Sequence, residues 1–188
     1  MLLGLTGGIA SGKSTALRAF ARLGFPTLSS DSIVHELHCR PEVRDQVVAQ
    51  FGTGVLGPDG EVDRSRVAAR AFSDPRLLRS LESLLHPLVG GELERWKAAA
   101  EARGATLLVH EVPLLFEADL QGRYDATVLI TAPDAVREAR APDRFAQRRS
   151  SQMSEGSKAA LATYVYVNTG STQELEAWVS QLVARLAA

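Results

Sequence analysis

Residues 4–15 read Gly4–Leu5–Thr6–Gly7–Gly8–Ile9–Ala10–Ser11–Gly12–Lys13–Ser14–Thr15, and this stretch decides the fold. It fits the phosphate-loop pattern, in which a glycine is followed by four free positions, a second glycine, a lysine and a serine or threonine. An apolar run comes before it over residues 1–3, and a helical pattern follows over residues 15–23. A strand, a glycine-rich turn and a helix in that order are the context that this motif requires.

The residue types of the loop predict a phosphate ligand. Gly7, Gly8 and Gly12 allow main-chain N–H groups to close around phosphate oxygens without interference from a Cβ, and the helix N-terminus behind them favours anions. Lys13 is expected to reach the outer phosphates, and Ser14 offers a hydroxyl to Mg²⁺. The alternative is a glycine-rich turn that merely contains lysine and serine, and the complete match with its flanks disfavours it.

The composition is that of an ordinary globular protein. Of 188 residues, 45% are apolar and 23% are charged, and the formal net charge is −1, so no overall basic field indicates a nucleic acid or a membrane as partner. A single cysteine, Cys39, excludes an intrachain disulfide framework. No apolar run approaches the length of a membrane span, and no signal-peptide pattern is present. We therefore expect a soluble cytoplasmic protein.

Hydrophobic periodicity predicts an α/β fold. The predicted strands are residues 1–3, 25–28, 106–111, 126–131 and 164–167. Outside the region between the second and third strands, helices are predicted over residues 15–23, 32–39 and 172–186.

Between the second and third strands, residues 42–103 are almost wholly helical. This exceeds the usual crossover and indicates a helical insertion beside the site, suited to a second substrate. Its helices are expected over residues 43–51, 64–72, 75–85 and 88–102. His86 and Pro87 are expected to join the last two, with Pro87 at the first position of the second helix.

Two acids follow predicted strands and are candidate site residues. Asp31 comes just after the second strand, and Glu111 ends the third. Residues past the carboxyl ends of parallel strands face the ligand crevice, so Asp31 is a functional candidate as well as a possible helix cap. Glu111 is placed to act on Mg²⁺ or its water shell, the alternative being a surface acid at the end of a strand.

A cluster of arginines follows the fourth strand. Its members are Arg137, Arg140, Arg144, Arg148 and Arg149. Their spacing would align much of the charge on one helix face, interrupted at Pro142, as expected of a lid that closes on polyphosphate. A solvated arginine-rich helix is the alternative.

Three further polar residues each have two possible roles. Asn168, after the fifth strand, either reads an adenine edge or supports the turn before Gly170. His86 is expected to form hydrogen bonds, with a substrate or within the fold. Glu117 either orients a substrate or caps the chain.

Taken together, these elements resemble the dephospho-CoA kinase family. The resemblance runs nearly from end to end and rests on the phosphate loop, Asp31, Leu85–His86–Pro87–Leu88, Val112–Pro113–Leu114–Leu115–Phe116–Glu117, Ser151–Gln152–Met153 and Asn168–Thr169–Gly170. It implies the three-layer fold of P-loop NTPases with a five-stranded parallel sheet. It also implies a nucleotide-binding core over residues 1–38 and 104–188, a helical CoA-binding insertion over residues 39–103 and a lid over residues 137–155.

The resemblance further implies transfer of the γ-phosphoryl group of ATP to the 3′-hydroxyl of the ribose of dephospho-CoA, the final step of CoA synthesis. ATP and Mg²⁺ are the implied cofactors, and ATP and dephospho-CoA the partners, with no nucleic acid or membrane. Asp31 matches the second acid of the family's Asp-x-Asp element, placed to accept or orient the hydroxyl proton. We expect a monomer or a weak homo-oligomer.

The predicted site residues fall into four groups. The ATP-binding residues are Gly8, Ile9, Ala10, Ser11, Gly12, Lys13, Ser14, Thr15, Asn168 and Gly170. The substrate-binding residues are Thr6, Asp31, His86, Pro113, Leu114 and Glu117. The catalytic residues are Asp31, Lys13, Arg140 and Arg144. The metal-binding residues are Ser14 and Glu111.

Three departures from the family pattern bear on this site. Ser29 stands where the family usually has its first Asp, and Ala10 replaces a frequent glycine, a change that is tolerated if φ is negative. The segment between residues 133 and 152 is short, so Arg140 and Arg144 both match the lid arginine. Two other functions stay open: another small-molecule or nucleotide kinase of the adenylate kinase type, and a non-catalytic ATP-binding module.

Overall fold

The structure is a computed structural model that describes residues 1–142 and 153–186. By main-chain contacts the chain divides into two units: Met1–Ser29 together with Ala100–Ala188, and Ser30–Ala99. The domain bounds at residues 38/39 and 103/104, and the roles assigned to the insertion and the lid, stay predictions.

The first unit is built on a parallel sheet. Its strands are β1 (Leu2–Thr6), β2 (Thr27–Ser29), β3 (Leu108–Glu111), β4 (Ala126–Thr131) and β5 (Tyr164–Val167). Their order is β2-β3-β1-β4-β5, which places β1 at the centre, and Leu5 of β1 lies between Glu111 and Val128 of the neighbouring strands. This confirms the predicted α/β class and the five-stranded parallel sheet.

Helices connect and flank these strands. In chain order they are α1 (Lys13–Arg22), α2 (Ser30–His38), α3 (Pro41–Phe51), α4 (Arg64–Ser73), α5 (Pro75–Ala102), α6 (Asp134–Arg140), α7 (Glu155–Leu161) and α8 (Thr172–Leu186). Short 3₁₀ helices cover Thr53–Val55 and Gln121–Arg123. In the described part of the chain, none of the helices has the length and apolar character needed to cross a membrane.

The core of the first unit lies between the sheet and helices α1 and α8. β1 and β4 are buried along their whole length, which explains why both strands are continuous apolar runs. Phe20 of α1 packs in one cluster with Leu175, Val179 and Leu182 of α8 and with the apolar side chains of the strands. Full burial of a side chain such as Phe20 contributes about 1.5–3 kcal/mol. This packing holds the carboxyl end of the central strand β1, from which the phosphate loop leaves.

The second unit contains α2, α3, α4 and most of α5. α2 packs against α3, and α3 buries Val43, Val47 and Phe51 on one face, as their spacing predicts. Asp63 caps α4, its carboxylate accepting hydrogen bonds from the main-chain N–H groups of Ser65 and Arg66. This acceptor satisfies N–H groups that a helix start leaves unpaired.

The prediction of two helices joined at His86 and Pro87 is wrong, because α5 runs without interruption through Pro87. A proline inside a helix removes one donor, its own N–H. A helix of 28 residues offsets that loss because the turns on either side keep their own hydrogen bonds. Pro87 therefore lies inside a helix rather than beginning one.

Three strands begin later than predicted, and one of them, β1 (Leu2–Thr6), also extends three residues beyond the predicted range 1–3. β2 begins at Thr27, because the main-chain N–H of Phe25 donates to the carbonyl oxygen of Phe20 and closes the turn after α1. β3 begins at Leu108 rather than at residue 106.

Candidate functional site

The phosphate loop joins the central strand β1 to α1. Gly12, the residue before α1, has a φ of 109°, a left-handed conformation that glycine adopts readily. The main-chain N–H of Ser11 donates to the carbonyl oxygen of Gly8 at 3.3 Å, which closes the loop upon itself. Because α1 begins at Lys13, its unpaired N–H groups and the positive end of its dipole lie at the loop.

Ala10 adopts a strained conformation in this loop. Its φ is 57°, so the negative φ on which tolerance of alanine depended is absent. A left-handed conformation costs a residue with a Cβ roughly 1–2 kcal/mol. The carbonyl oxygen of Ala10 accepts a hydrogen bond from Arg140 at 3.4 Å, which connects the loop to the end of α6.

A cavity of about 440 Å³ lies at the loop. Its lining residues are Ile9, Ala10, Gly12, Lys13, Ser14, Thr15, Arg140, Ala141, Asn168, Gly170, Thr172 and Leu175. The structure thus brings together most of the predicted ATP-binding residues with Arg140, from three separate stretches of the first unit. A volume of this size is in the usual range of small-molecule sites.

Asn168 supports the loop from the end of β5. Its side-chain N–H donates to the carbonyl oxygen of Ser11 at 2.7 Å, and its main-chain N–H donates to that of Thr131 at 2.6 Å. The residue is only 5% exposed. Asn168 thus supports the phosphate loop and the end of β4, a contact that neither of the two predicted roles describes, and recognition of adenine stays a prediction.

Glu111 lies at the carboxyl end of β3, directly beside Ser29 of β2. The Ser29 hydroxyl donates to the Glu111 carboxylate at 2.7 Å, and Glu111 is 6% exposed. Ser14, the other predicted metal ligand, is exposed and lines the cavity. Within residues 1–142 and 153–186, no group of three or more His, Cys, Asp and Glu residues could hold a metal ion. A hydroxyl and a carboxylate both offer oxygen ligands of the kind that Mg²⁺ prefers, but Glu111 is not among the residues that line the cavity, and metal binding by Ser14 and Glu111 stays a prediction.

Three predicted substrate-binding residues occupy different environments around the turn after β3. Thr6 is fully buried, and its hydroxyl donates to the carbonyl oxygen of Pro113 at 3.5 Å. Leu114 is exposed. Glu117 is engaged internally, since its Oε1 lies 2.9 Å from Nζ of Lys158 and accepts the main-chain N–H of Met153 at 3.1 Å.

Asp31 and His86 belong to the second unit. Asp31 lies in the first turn of α2, where its negative charge favours the helix, and its side chain is exposed. His86 is exposed on α5. Substrate binding by these residues, and by Thr6, Pro113, Leu114 and Glu117, stays a prediction.

Of the arginine cluster, the described members Arg137 and Arg140 do not share one cationic face. α6 ends at Arg140, which is exposed, whereas Arg137 is 5% exposed and lies 2.7 Å from Oε1 of Glu155 and 3.6 Å from Asp134. A buried guanidinium requires a carboxylate partner, which Glu155 provides for Arg137, whereas Arg140 stays exposed although it lies only three residues away. The remaining members, Arg144, Arg148 and Arg149, lie outside the described residues, as do Ser151 and Gln152.

Sequence reasoning missed Glu155 and Lys158 of α7. Lys158 is completely buried and pairs with Glu117, and Glu155 pairs with Arg137. The only signal in the sequence is the three-residue spacing of Glu155 and Lys158, which ordinarily indicates an exposed helical pair. Their burial depends on contacts that local sequence does not report.

His110 was also missed as a titratable group. It lies in β3, and its Nδ1 is 2.8 Å from the hydroxyl of Tyr124. Burial lowers the pKa of His110 to about 4 and raises the pKa of Tyr124 to about 12. Both side chains are therefore neutral at pH 7.

A phosphate loop after the central strand of a parallel sheet defines the class of this protein, which has the fold of P-loop kinases. A shikimate kinase from Bacteroides thetaiotaomicron is similar in fold, with a TM-score of 0.53, 17% identity, and coverage of 100% of this chain and 99% of that one. A dephospho-CoA kinase from Campylobacter jejuni gives a TM-score of 0.74 at 21% identity, over 98% and 96% of the two chains.

The chain belongs to the dephospho-CoA kinase family. The profile of that family, described as dephospho-CoA kinase, matches residues 1–174. The dephospho-CoA kinase of Thiobacillus denitrificans is 38% identical over 97% of this chain and 94% of its own length. The dephospho-CoA kinase of Deinococcus radiodurans is 36% identical over 98% of this chain and 91% of its own length. A Thermus thermophilus protein of known crystal structure has a TM-score of 0.86 and 34% identity, over 99% and 97% of the two chains.

Proposed function

We propose that this protein transfers the γ-phosphoryl group of ATP to the 3′-hydroxyl of the ribose of dephospho-CoA. One observation carries the proposal: in a chain of the dephospho-CoA kinase family, a cavity opens at an intact phosphate loop whose lysine lines it. The proposal takes the protein to act in the cytoplasm on these two small molecules, as a monomer or a weak homo-oligomer.

The cavity is proposed to hold the triphosphate and adenosine of ATP. Main-chain N–H groups from Gly8 to Ser14 would bind the phosphate oxygens, since a glycine-rich loop at a helix N-terminus presents several donors together. Lys13 would exchange its hydrogen bond with the carbonyl oxygen of Gly8 for one with the outer phosphates. Arg140, on the cavity wall, would stabilise negative charge on the transferring group.

Mg²⁺ would neutralise charge on the outer phosphates when it is bound with ATP. Ser14 is proposed to supply one oxygen ligand, and Glu111 to orient a metal-bound water through the carboxylate that Ser29 holds in place. The exposed Asp31 is proposed to accept or orient the proton of the acceptor hydroxyl. Because phosphoryl transfer depends mainly on positioning and charge stabilisation, holding the hydroxyl matters more than removing its proton early.

An acceptor screen tests this function. Turnover of ATP with Mg²⁺ is measured with dephospho-CoA, AMP, shikimate and no acceptor, and the product is identified as the ribose 3′-phosphate by ³¹P NMR. We expect turnover that requires dephospho-CoA. Turnover with another acceptor instead would indicate a different small-molecule kinase, and nucleotide binding without turnover would indicate a non-catalytic module. Either result contradicts the proposal.

A further inference from the structure

Two buried cations and two partly buried carboxylates form a network in the first unit, next to the phosphate loop. Arg137 of α6 lies 2.7 Å from Oε1 of Glu155 on α7. Nζ of Lys158, also on α7, lies 2.9 Å from Oε1 of Glu117 and 3.9 Å from Oε1 of Glu155. The hydroxyl of Thr131, at the end of β4, donates to the second oxygen of Glu155. Glu155 therefore joins one strand and two helices.

The two cations of this network face the carboxylates of Glu117 and Glu155, and the exposed Asp134 lies 3.6 Å from Arg137 as well. Lys158 is 0% and Arg137 5% exposed. Taking an ion out of water is costly unless a partner and further hydrogen bonds compensate it, so each of these groups depends on the others. Removal of one carboxylate should therefore destabilise the network, because it leaves a buried cation without its compensating charge.

The network touches the phosphate loop at Gly8. A Cβ built on Gly8 would overlap the guanidinium of Arg137 and would lie 2.7 Å from Oε1 of Glu155, so this ion pair packs directly against the Gly8 backbone. The carbonyl oxygen of the same residue accepts hydrogen bonds from Nζ of Lys13 at 3.1 Å and from the N–H of Ser11 at 3.3 Å. A shift of Gly8 would consequently move the donors that we assign to phosphate binding.

We propose that Arg137 and Glu155 are positioning residues of the phosphate loop. They act through the Gly8 backbone, whose carbonyl oxygen holds the Lys13 ammonium in position before the nucleotide binds. They do not themselves contact the nucleotide. Arg140 is among the described residues that line the cavity, whereas Arg137 and Glu155 are not. This agrees with a direct role for Arg140 and an indirect role for the ion pair. The inference rests on the proposed nucleotide site.

Lys158 and Glu117 complete the network. Lys158 compensates the carboxylates of both Glu117 and Glu155, and Glu117 also accepts the main-chain N–H of Met153 at 3.1 Å. The network thus fixes the chain just before α7 begins, and with it the position of Glu155. This assigns Glu117 to the support of the loop, in addition to any role toward a substrate.

Binding and kinetics of Glu155→Gln test the inference. The amide keeps nearly the same shape but removes the charge that holds Arg137 and Lys158. We measure the dissociation constant of a fluorescent ADP analogue, kcat, and KM for ATP and for dephospho-CoA. We expect weaker binding of the analogue, and a loss in kcat of about 100-fold, the size that misplacement by roughly 1 Å can cause. KM for dephospho-CoA should stay unchanged, and Glu155→Asp should recover part of both losses.

Two further variants separate positioning from general destabilisation. Leu182→Ala removes packing from the buried face of α8, so it should lower the melting temperature without altering the dissociation constant of the analogue. Arg137→Lys keeps the positive charge, but its side chain is shorter and lacks the planar guanidinium that packs against Gly8. This variant is measured in place of Glu155→Gln if Glu155→Gln fails to fold. We expect it to weaken binding of the analogue.

The inference is overturned if the folded Glu155→Gln or Arg137→Lys protein binds the analogue as tightly as the native protein and has lost only melting temperature, as Leu182→Ala does. If the native protein itself does not bind the analogue, the proposed nucleotide site is wrong, and the inference is overturned with it. If the native protein binds the analogue and the variants bind it equally tightly, only the positioning role is overturned, and the nucleotide site stands.

Discussion

Nζ of Lys13 lies 3.1 Å from the carbonyl oxygen of Gly8 and donates a hydrogen bond to it. The loop therefore holds the cation that we assign to phosphate binding close to the place where it would act. A side chain held in this way loses less conformational freedom when a ligand binds. The ion pair of Arg137 and Glu155 packs against the Cα of the same residue, Gly8.

Replacing Lys13 tests its role in phosphate binding. Lys13→Ala should lower kcat by about 10²–10³-fold, because one electrostatic contact to the transferring group is removed. The melting temperature should change little, since Lys13 is only partly buried. Arg22→Ala on the same helix is the control, because its ion pair with Glu176 is exposed and should contribute little. Unchanged turnover in Lys13→Ala would remove this lysine from the reaction.

Asp31→Asn tests the proposed orientation of the acceptor. The amide keeps the size of the carboxylate but cannot accept a proton, so we expect kcat to fall by orders of magnitude while KM for ATP is retained. Asp45→Asn on α3 is the matched control, since Asp45 is exposed and pairs only with its neighbour Arg44 among the contacts described. Near-normal turnover of Asp31→Asn would exclude Asp31 from the mechanism.

Ala10→Gly should stabilise the protein, which is the opposite of the usual effect of glycine. Glycine adopts the left-handed conformation without the strain that alanine has there, but it raises the entropy of the unfolded chain. The first effect is larger, so we expect the free energy of unfolding to rise by about 1 kcal/mol. Chemical denaturation measures it. Ala177→Gly, at an exposed position in the interior of α8, should instead cost about 0.5–1 kcal/mol. A loss of stability in both variants would refute the strain at Ala10.

His110 predicts a pH dependence of stability. Burial lowers its pKa from 6.5 in the unfolded chain to about 4 in the folded protein. Between these values the unfolded state binds more protons, so the contribution is complete above pH 6.5 and is lost as the pH falls toward 4. Its full size is about 3 kcal/mol, from roughly 1.4 kcal/mol for each pH unit. His110→Gln should therefore flatten the pH dependence of unfolding over this range.

Tyr124→Phe distinguishes burial from hydrogen bonding as the cause of this shift. It removes the hydroxyl beside Nδ1 of His110 but leaves the ring that covers it. Because burial is the main cause of the lowered pKa, Tyr124→Phe should lower stability at every pH and keep the slope between pH 4 and 6.5. A slope that disappears in Tyr124→Phe would assign the shift to the hydrogen bond.

The sequence by itself determined the class of fold and the centre of the site. The phosphate loop follows an apolar strand and precedes a helix, and these are local patterns that do not depend on distant contacts. Residues 126–131, 164–167 and 172–186 were predicted with the bounds observed for β4, β5 and α8. Strand burial and helical amphipathicity repeat within a few residues, so one chain suffices to recognise them.

Only the tertiary structure decided which charges are exposed and which are buried. Arg137 and Arg140 have the same chemistry and lie three residues apart, yet Glu155 neutralises the first while the second lines the cavity. The continuity of α5 through Pro87 and the left-handed backbone of Ala10 likewise depend on the surrounding structure. The physical reason is that the burial of an ion or a strained residue is compensated by partners far along the chain, and sequence spacing does not show which partners meet.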